Sequence, residues 1–119
     1  MLIVGHGSIG KRHLRIVREC LADALIMDFR QQQTTGIPEM PNLVTSSMGD
    51  VRSFALEAAI VANPAPFHLA TATALAEIGC HLLIEKPISD KIDGMSELLK
   101  RSRVAGVVCQ VGSNLRYLP

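Results

Sequence analysis

Residues 5–10 read Gly5-His6-Gly7-Ser8-Ile9-Gly10. The three glycines follow the apolar Leu2-Ile3-Val4 and precede a helical pattern. Free N–H groups at a helix start, together with the helix dipole, attract an anion such as a pyrophosphate. Gly5 permits a tight turn, Gly7 lets phosphate approach the backbone, and Gly10 lets the helix pack close to the strand. Ser8 can add a hydroxyl contact, and Ile9 completes the turn. Asp28 ends the second apolar run, where a carboxylate can accept hydrogen bonds from the ribose hydroxyls of an adenine dinucleotide. That charge repels a 2′-phosphate and favours NAD over NADP. Arg30 works the other way, since a nearby arginine can accept the phosphate. The alternative is a glycine turn that only packs helix on strand. A phosphate-loop NTPase is disfavoured, because no lysine followed by Ser or Thr closes the motif.

A second group is Glu85-Lys86-Pro87. It closes an apolar run at the end where open parallel sheets gather their ligands. A lysine there can orient a substrate hydroxyl or share in proton transfer. Taken alone, the tripeptide reads as a surface lysine at a turn.

The elements that must carry these residues follow from periodicity. Leu14, Val17 and Leu21 recur at helical spacing after the glycine turn, with Lys11, Arg12, Arg15 and Arg18 on the solvated face. Ala24 to Asp28 reads as a second strand, so the chain opens as a β-α-β unit. Residues 31–41 read as loop, with two prolines and a glycine close together. Asn42 to Ser46 suits a short strand and Asp50 to Leu56 one or two helical turns. Ala58 to Ala62 is apolar on both faces, as a parallel sheet covered by helices requires. Phe67 to Ile78 is an alanine-rich helix closed by Gly79. His81 to Glu85 is the next strand. Ser89 then suits a helix N-cap, with Ile92, Met95, Leu98 and Leu99 as the buried stripe. Val104 to Val111 is the last strand. The pattern predicts an α/β doubly wound parallel sheet, a Rossmann arrangement of three layers with strand order 3-2-1-4-5-6, as one domain over residues 1–119.

Composition sets limits. The chain has 119 residues, 48% of them apolar, and a net charge of +1. The charge balance gives no case for nucleic acid or an anionic membrane surface. No apolar run approaches the ~20 residues that span a bilayer, and no signal peptide is evident. A soluble, cytoplasmic domain is the expectation. Cys20, Cys80 and Cys109 read as buried free thiols. The four histidines lack ligand spacing, so no metal is expected. Among them, His6 is expected to face solvent and His13 to serve packing or bond the backbone.

Four motifs follow one another: Gly5-x-Gly7-x-x-Gly10-x-x-His13, Asn63-Pro64-x-x-x-His68, Glu85-Lys86-Pro87 and Asn114-x-Arg116-Tyr117-x-Pro119. In order and spacing the chain resembles the N-terminal half of the glucose-fructose oxidoreductase / inositol dehydrogenase family. The resemblance implies a Rossmann domain binding NAD or NADP and hydride transfer at a hydroxyl carbon of a sugar, cyclitol or related small molecule. It places Asn63 and Pro64 near the nicotinamide, with His68 following on the next helix and Asn114 where the chain crosses towards a second domain. All of these, with Glu85, count as cofactor-binding expectations. Lys86 is the catalytic candidate, reaching cofactor and substrate, and the peptide before Pro87 is often cis in such proteins.

One departure is Asn63, where the family usually has Thr. Another is that the family's C-terminal α/β substrate domain, which supplies the acid/base group, is not in this sequence. The expectation is a chain that binds nucleotide but is catalytically incomplete without its parent protein. A stand-alone nucleotide-sensing module and a structural remnant without activity are the rivals. A homodimer stays open.

Overall fold

A computed structural model of the chain describes residues 1–30 and 41–113. Its described strands are β1 (Leu2–Val4), β2 (Met27–Phe29), β3 (Leu43–Thr45), β4 (Ala58–Val61), β5 (His81–Ile84) and β6 (Cys109–Val111). They form one sheet in the order β3-β2-β1-β4-β5-β6, with every described pair parallel. The order reverses between β1 and β4, so the connections leave β1 in opposite directions and open a crevice at the strands' C-terminal ends. The expected fold class and strand order are both observed.

Alternate residues of each strand feed opposite faces. Leu2 and Val4 join Met27, Ala59, Val61, Leu82 and Ile84 in one core layer, packed by Val51 of α2 (Met48–Ser53), Ala72, Leu75 and Ala76 of α3 (His68–Glu77) and Leu98 of α4 (Met95–Ala105). Ile3 and Ile60 turn the other way, onto Leu14 and Val17 of α1 (Ser8–Cys20). The small residues of α3 let it sit against both the sheet and α4. A short 3-10 turn, Ala65–Phe67, starts the α3 crossover, so the expected helix begins one residue later than its sequence pattern suggests.

Several boundaries differ from expectation, each for a local reason. Helix α1 stops at Cys20, leaving Leu21 exposed as its C-cap instead of in the buried stripe. Strand β2 starts at Met27, and Leu25 is exposed. Ser89 caps no long helix: its hydroxyl accepts from the Lys91 N–H at 2.9 Å, a turn confined to that loop. Helix α4 begins only after Gly94, at φ +91°, so Ile92 is 85% exposed and Leu99 is exposed too. The same helix runs through Val104, expected in β6, and ends where Gly106 takes φ +66°. Short helix α2 is capped by Ser47, which accepts from the Asp50 N–H. The loop expected over 31–41 falls, for residues 31–40, outside the described residues, and Asn114 does as well.

The thiols also need correcting. Cys80 is fully buried, but Cys20 and Cys109 are exposed, because α1 ends at one and β6 is an edge strand at the other. Burial pushes the Cys80 thiol up to about 11 and raises that of Cys109 as well. Native protein treated with Ellman's reagent at neutral pH should therefore lose Cys20 first and Cys109 more slowly, and release Cys80 only on unfolding. Reaction of all three thiols at one rate without denaturant would contradict this. Among the described residues, no helix is long and apolar enough to cross a membrane.

Candidate functional site

Val4, Phe29, Val61 and Ile84 lie in one row across the sheet. The next residues along the chains, Gly5, Arg30, Ala62 and Glu85, form the rim of the crevice. The register thus brings three separate sequence motifs to one edge.

The glycine turn behaves as its sterics require. Gly5 has φ +96°, and a Cβ there would lie 2.6 Å from the Asn63 nitrogen. A Cβ on Gly10 would sit 1.8 Å from the Gly5 carbonyl oxygen. These two glycines are fixed by backbone contact. At Gly7 nothing lies within 4 Å of the Cβ position, so the middle of the turn faces open space. Helix α1 starts there with Gly7 as its N-cap, no side chain capping it and no acidic residue in its first turn. An uncapped helix start under open space can receive an anion. Ser8 and Ile9, in that first turn, are both exposed.

Asp28 lies one strand over and is fully buried. Its Oδ2 accepts from Arg30 Nε at 2.7 Å and lies 2.6 Å from His6 Nδ1. His6 is therefore not solvent-facing: its side chain is 10% exposed and folds back from the glycine turn onto the carboxylate. The sequence gives no direct sign of this, because the contact depends on β1 and β2 being neighbours in register. Asp28 is enclosed, so a ribose reaches it only as a covering group gives way. Three polar atoms at this end of the sheet have no hydrogen-bond partner among the described residues: His6 Nε2, Asp28 Oδ1 and Asn63 Oδ1. Buried polar atoms are rarely left unpaired. They lie at the same end of the sheet as the open, uncapped helix start.

Asn63 is held by its amide, which donates to Thr71 Oγ1 on α3 at 3.0 Å. Pro64 follows as the exposed N-cap of the 3-10 turn. His68 is 2% exposed, with Nδ1 2.8 Å from the Pro87 carbonyl oxygen and Nε2 2.5 Å from that of Asn63. Both ring nitrogens are engaged by the protein, so His68 lies beneath the crevice instead of presenting a free donor to it. The Lys86–Pro87 peptide is cis. Lys86 is exposed at the rim. Glu85, at its side, pairs through Oε1 with His13 Nε2 at 2.6 Å. His13 thus binds a carboxylate, where packing or a backbone bond was expected. The crevice gathers Gly5, Gly7, Ser8, Ile9, Gly10, Asp28, Arg30, Asn63, Pro64, Glu85 and Lys86. His6 and His13 also border the site, each on a carboxylate, where solvent was expected for the first and packing or a backbone bond for the second.

The chain matches the family model described as "Oxidoreductase family, NAD-binding Rossmann fold", GFO_IDH_MocA, over residues 1–113. It is 29% identical to the uncharacterized oxidoreductase YrbE of Bacillus subtilis, over 98% of the chain and 36% of that protein. It is 24% identical to 4-carboxy-2-hydroxymuconate-6-semialdehyde dehydrogenase of a Sphingobium species, over 98% of the chain and 39% of that protein. The chain therefore spans little more than a third of either relative. Its fold superposes on myo-inositol 2-dehydrogenase from Lactobacillus plantarum with TM-score 0.85 at 20% identity, covering 98% of this chain and 37% of that one. The WlbA dehydrogenase from Bordetella pertussis, solved with NADH and UDP-GlcNAcA, gives TM-score 0.84 at 23% identity, with 98% and 37% covered.

Proposed function

Because the chain belongs to the GFO_IDH_MocA oxidoreductase family, we propose that it is the cofactor-binding part of a dehydrogenase that works on a hydroxyl of a sugar, cyclitol or related small molecule. The observation that carries this reading is the open space at Gly7 over an uncapped helix start, flanked by glycines whose Cβ positions are closed. In this reading the first turn of α1 holds the pyrophosphate. Asp28 receives the adenosine ribose and favours NAD over NADP. Asn63 and Pro64 border the nicotinamide, and Lys86 faces both nicotinamide and substrate. The nicotinamide supplies hydride acceptance or donation when it is bound. The name of myo-inositol 2-dehydrogenase and the sugar nucleotide bound in the WlbA complex support the polyhydroxylated substrate class.

Hydride transfer needs substrate held against the nicotinamide and shielded from water. Lys86 is exposed at the crevice rim. Calorimetric titration of the chain should therefore show NADH binding with NADPH weaker. Incubation with NAD and myo-inositol should give no turnover at ordinary enzyme rates. Absence of NADH binding at millimolar concentration would overturn the cofactor reading. Turnover by the chain alone would overturn the expectation that a further domain completes the site.

A further inference from the structure

We propose that His13 and His68 act as a pair of positioning residues that hold Lys86 at the nicotinamide end of the crevice. The inference rests on the cofactor reading above and assigns both histidines a role in it. Lys86 lies between two residues that are each tied to a different helix. On one side, Glu85 Oε1 meets His13 Nε2 of α1 at 2.6 Å, and Glu85 Oε2 accepts from the Lys86 N–H at 3.3 Å. On the other side, the Pro87 carbonyl oxygen meets His68 Nδ1 of α3 at 2.8 Å. Helix α1 packs on one face of the sheet and α3 on the other. The tripeptide is thus gripped from both faces, and the exposed Lys86 is what the grip leaves outward.

The second bond of His68 extends the argument. Its Nε2 reaches the Asn63 carbonyl oxygen, so one ring joins the turn after β4 to the turn after β5. Carbonyl oxygens only accept, so a ring N–H is the donor in either contact. Here each histidine commits one ring nitrogen to the segment that bears Lys86, His13 through Glu85 and His68 through the Pro87 carbonyl. His13 is also three residues beyond Gly10, on the helix that starts under the phosphate position. The grip on Lys86 therefore shares its element with the pyrophosphate cradle.

The test uses the whole chain labelled with 15N, and ADP-ribose and NAD as probes. ADP-ribose should move the amides of the glycine turn, whereas NAD should also move the Lys86 amide. In His13→Leu and His68→Leu the glycine-turn response to ADP-ribose should remain, and the extra Lys86 response to NAD should be lost. His13→Gln and His68→Gln each keep an N–H donor and should restore part of it, which also covers the case in which a leucine variant does not fold. Retention of the full Lys86 response in the variants, or no such response in the native chain, would overturn the proposal. Failure of ADP-ribose to move the glycine turn in the native chain would instead overturn the cofactor reading itself.

Discussion

Gly10→Ala should cost about 3 kcal/mol of stability or more and abolish nucleotide binding. The cause is a single distance. An alanine Cβ would lie 1.8 Å from the Gly5 carbonyl oxygen and 2.9 Å from the Gly5 carbonyl carbon, and both of these are backbone atoms. No side-chain rotation relieves that overlap. Either α1 moves off the sheet or the turn at Gly5 opens. Gly5 has no slack, since its own Cβ position is blocked by Asn63 and Ala62 backbone. A shift of α1 would also strip Leu14 and Val17 from Ile3 and Ile60, the layer that α1 covers. For a domain of this size, 3 kcal/mol corresponds to a fall in melting temperature on the order of 10 °C. Thermal unfolding followed by circular dichroism measures it. The comparison variant is Gly7→Ala, whose Cβ would meet nothing within 4 Å. Gly7→Ala should leave the melting temperature nearly unchanged while weakening the binding of NADH. A stable Gly10→Ala variant that still binds would refute the geometry of the turn.

Asp28→Ala should destabilise the chain by about 3 kcal/mol, because it removes a buried counter-charge. The carboxylate is wholly enclosed, Arg30 is 5% exposed, and the two meet at 2.7 Å. His6 leans on the same oxygen. Asp28→Asn keeps the volume and a carbonyl-type acceptor, so it should cost less. Both variants remove the negative charge that a 2′-phosphate would meet. The affinity for NADPH relative to NADH should then rise by about tenfold or more, as loss of a like-charge contact is worth several kcal/mol at most. Urea unfolding gives the stability, and calorimetry with each nucleotide gives the ratio. An unchanged ratio in both variants would show that Asp28 does not set the choice of nucleotide. In that case its charge would serve only to hold Arg30.

The residues show why some of this was legible and some was not. The glycine turn could be read directly, because the requirement for a missing Cβ is local and the flanking strand and helix announce themselves by periodicity. The sheet order followed from the β-α-β opening and the later alternation of strand and helix, which leave few ways to connect parallel strands. The start of α4 was missed because Ile92 continues the apolar spacing of Met95 and Leu98. Gly94 interrupts the backbone there at positive φ, which spacing cannot reveal. Val104 misled in the opposite direction: a valine before Gly106 suits a strand, yet its helix simply ends at that glycine. The side-chain partners were the least legible. His6 finds Asp28, and His13 finds Glu85 72 positions away, only once the strands are in register. The composition of the chain holds no trace of those meetings.

In the proposed reading, the end of β1 hands a diphosphate to the first turn of α1. A crystal structure of the chain grown with NADH tests it most directly. The diphosphate is expected against the backbone N–H groups that follow Gly7, with the adenosine ribose at Asp28 and the nicotinamide towards Asn63 and Lys86. Nucleotide bound elsewhere, or a crevice that stays closed by His6 and Arg30 at saturating NADH, would contradict it.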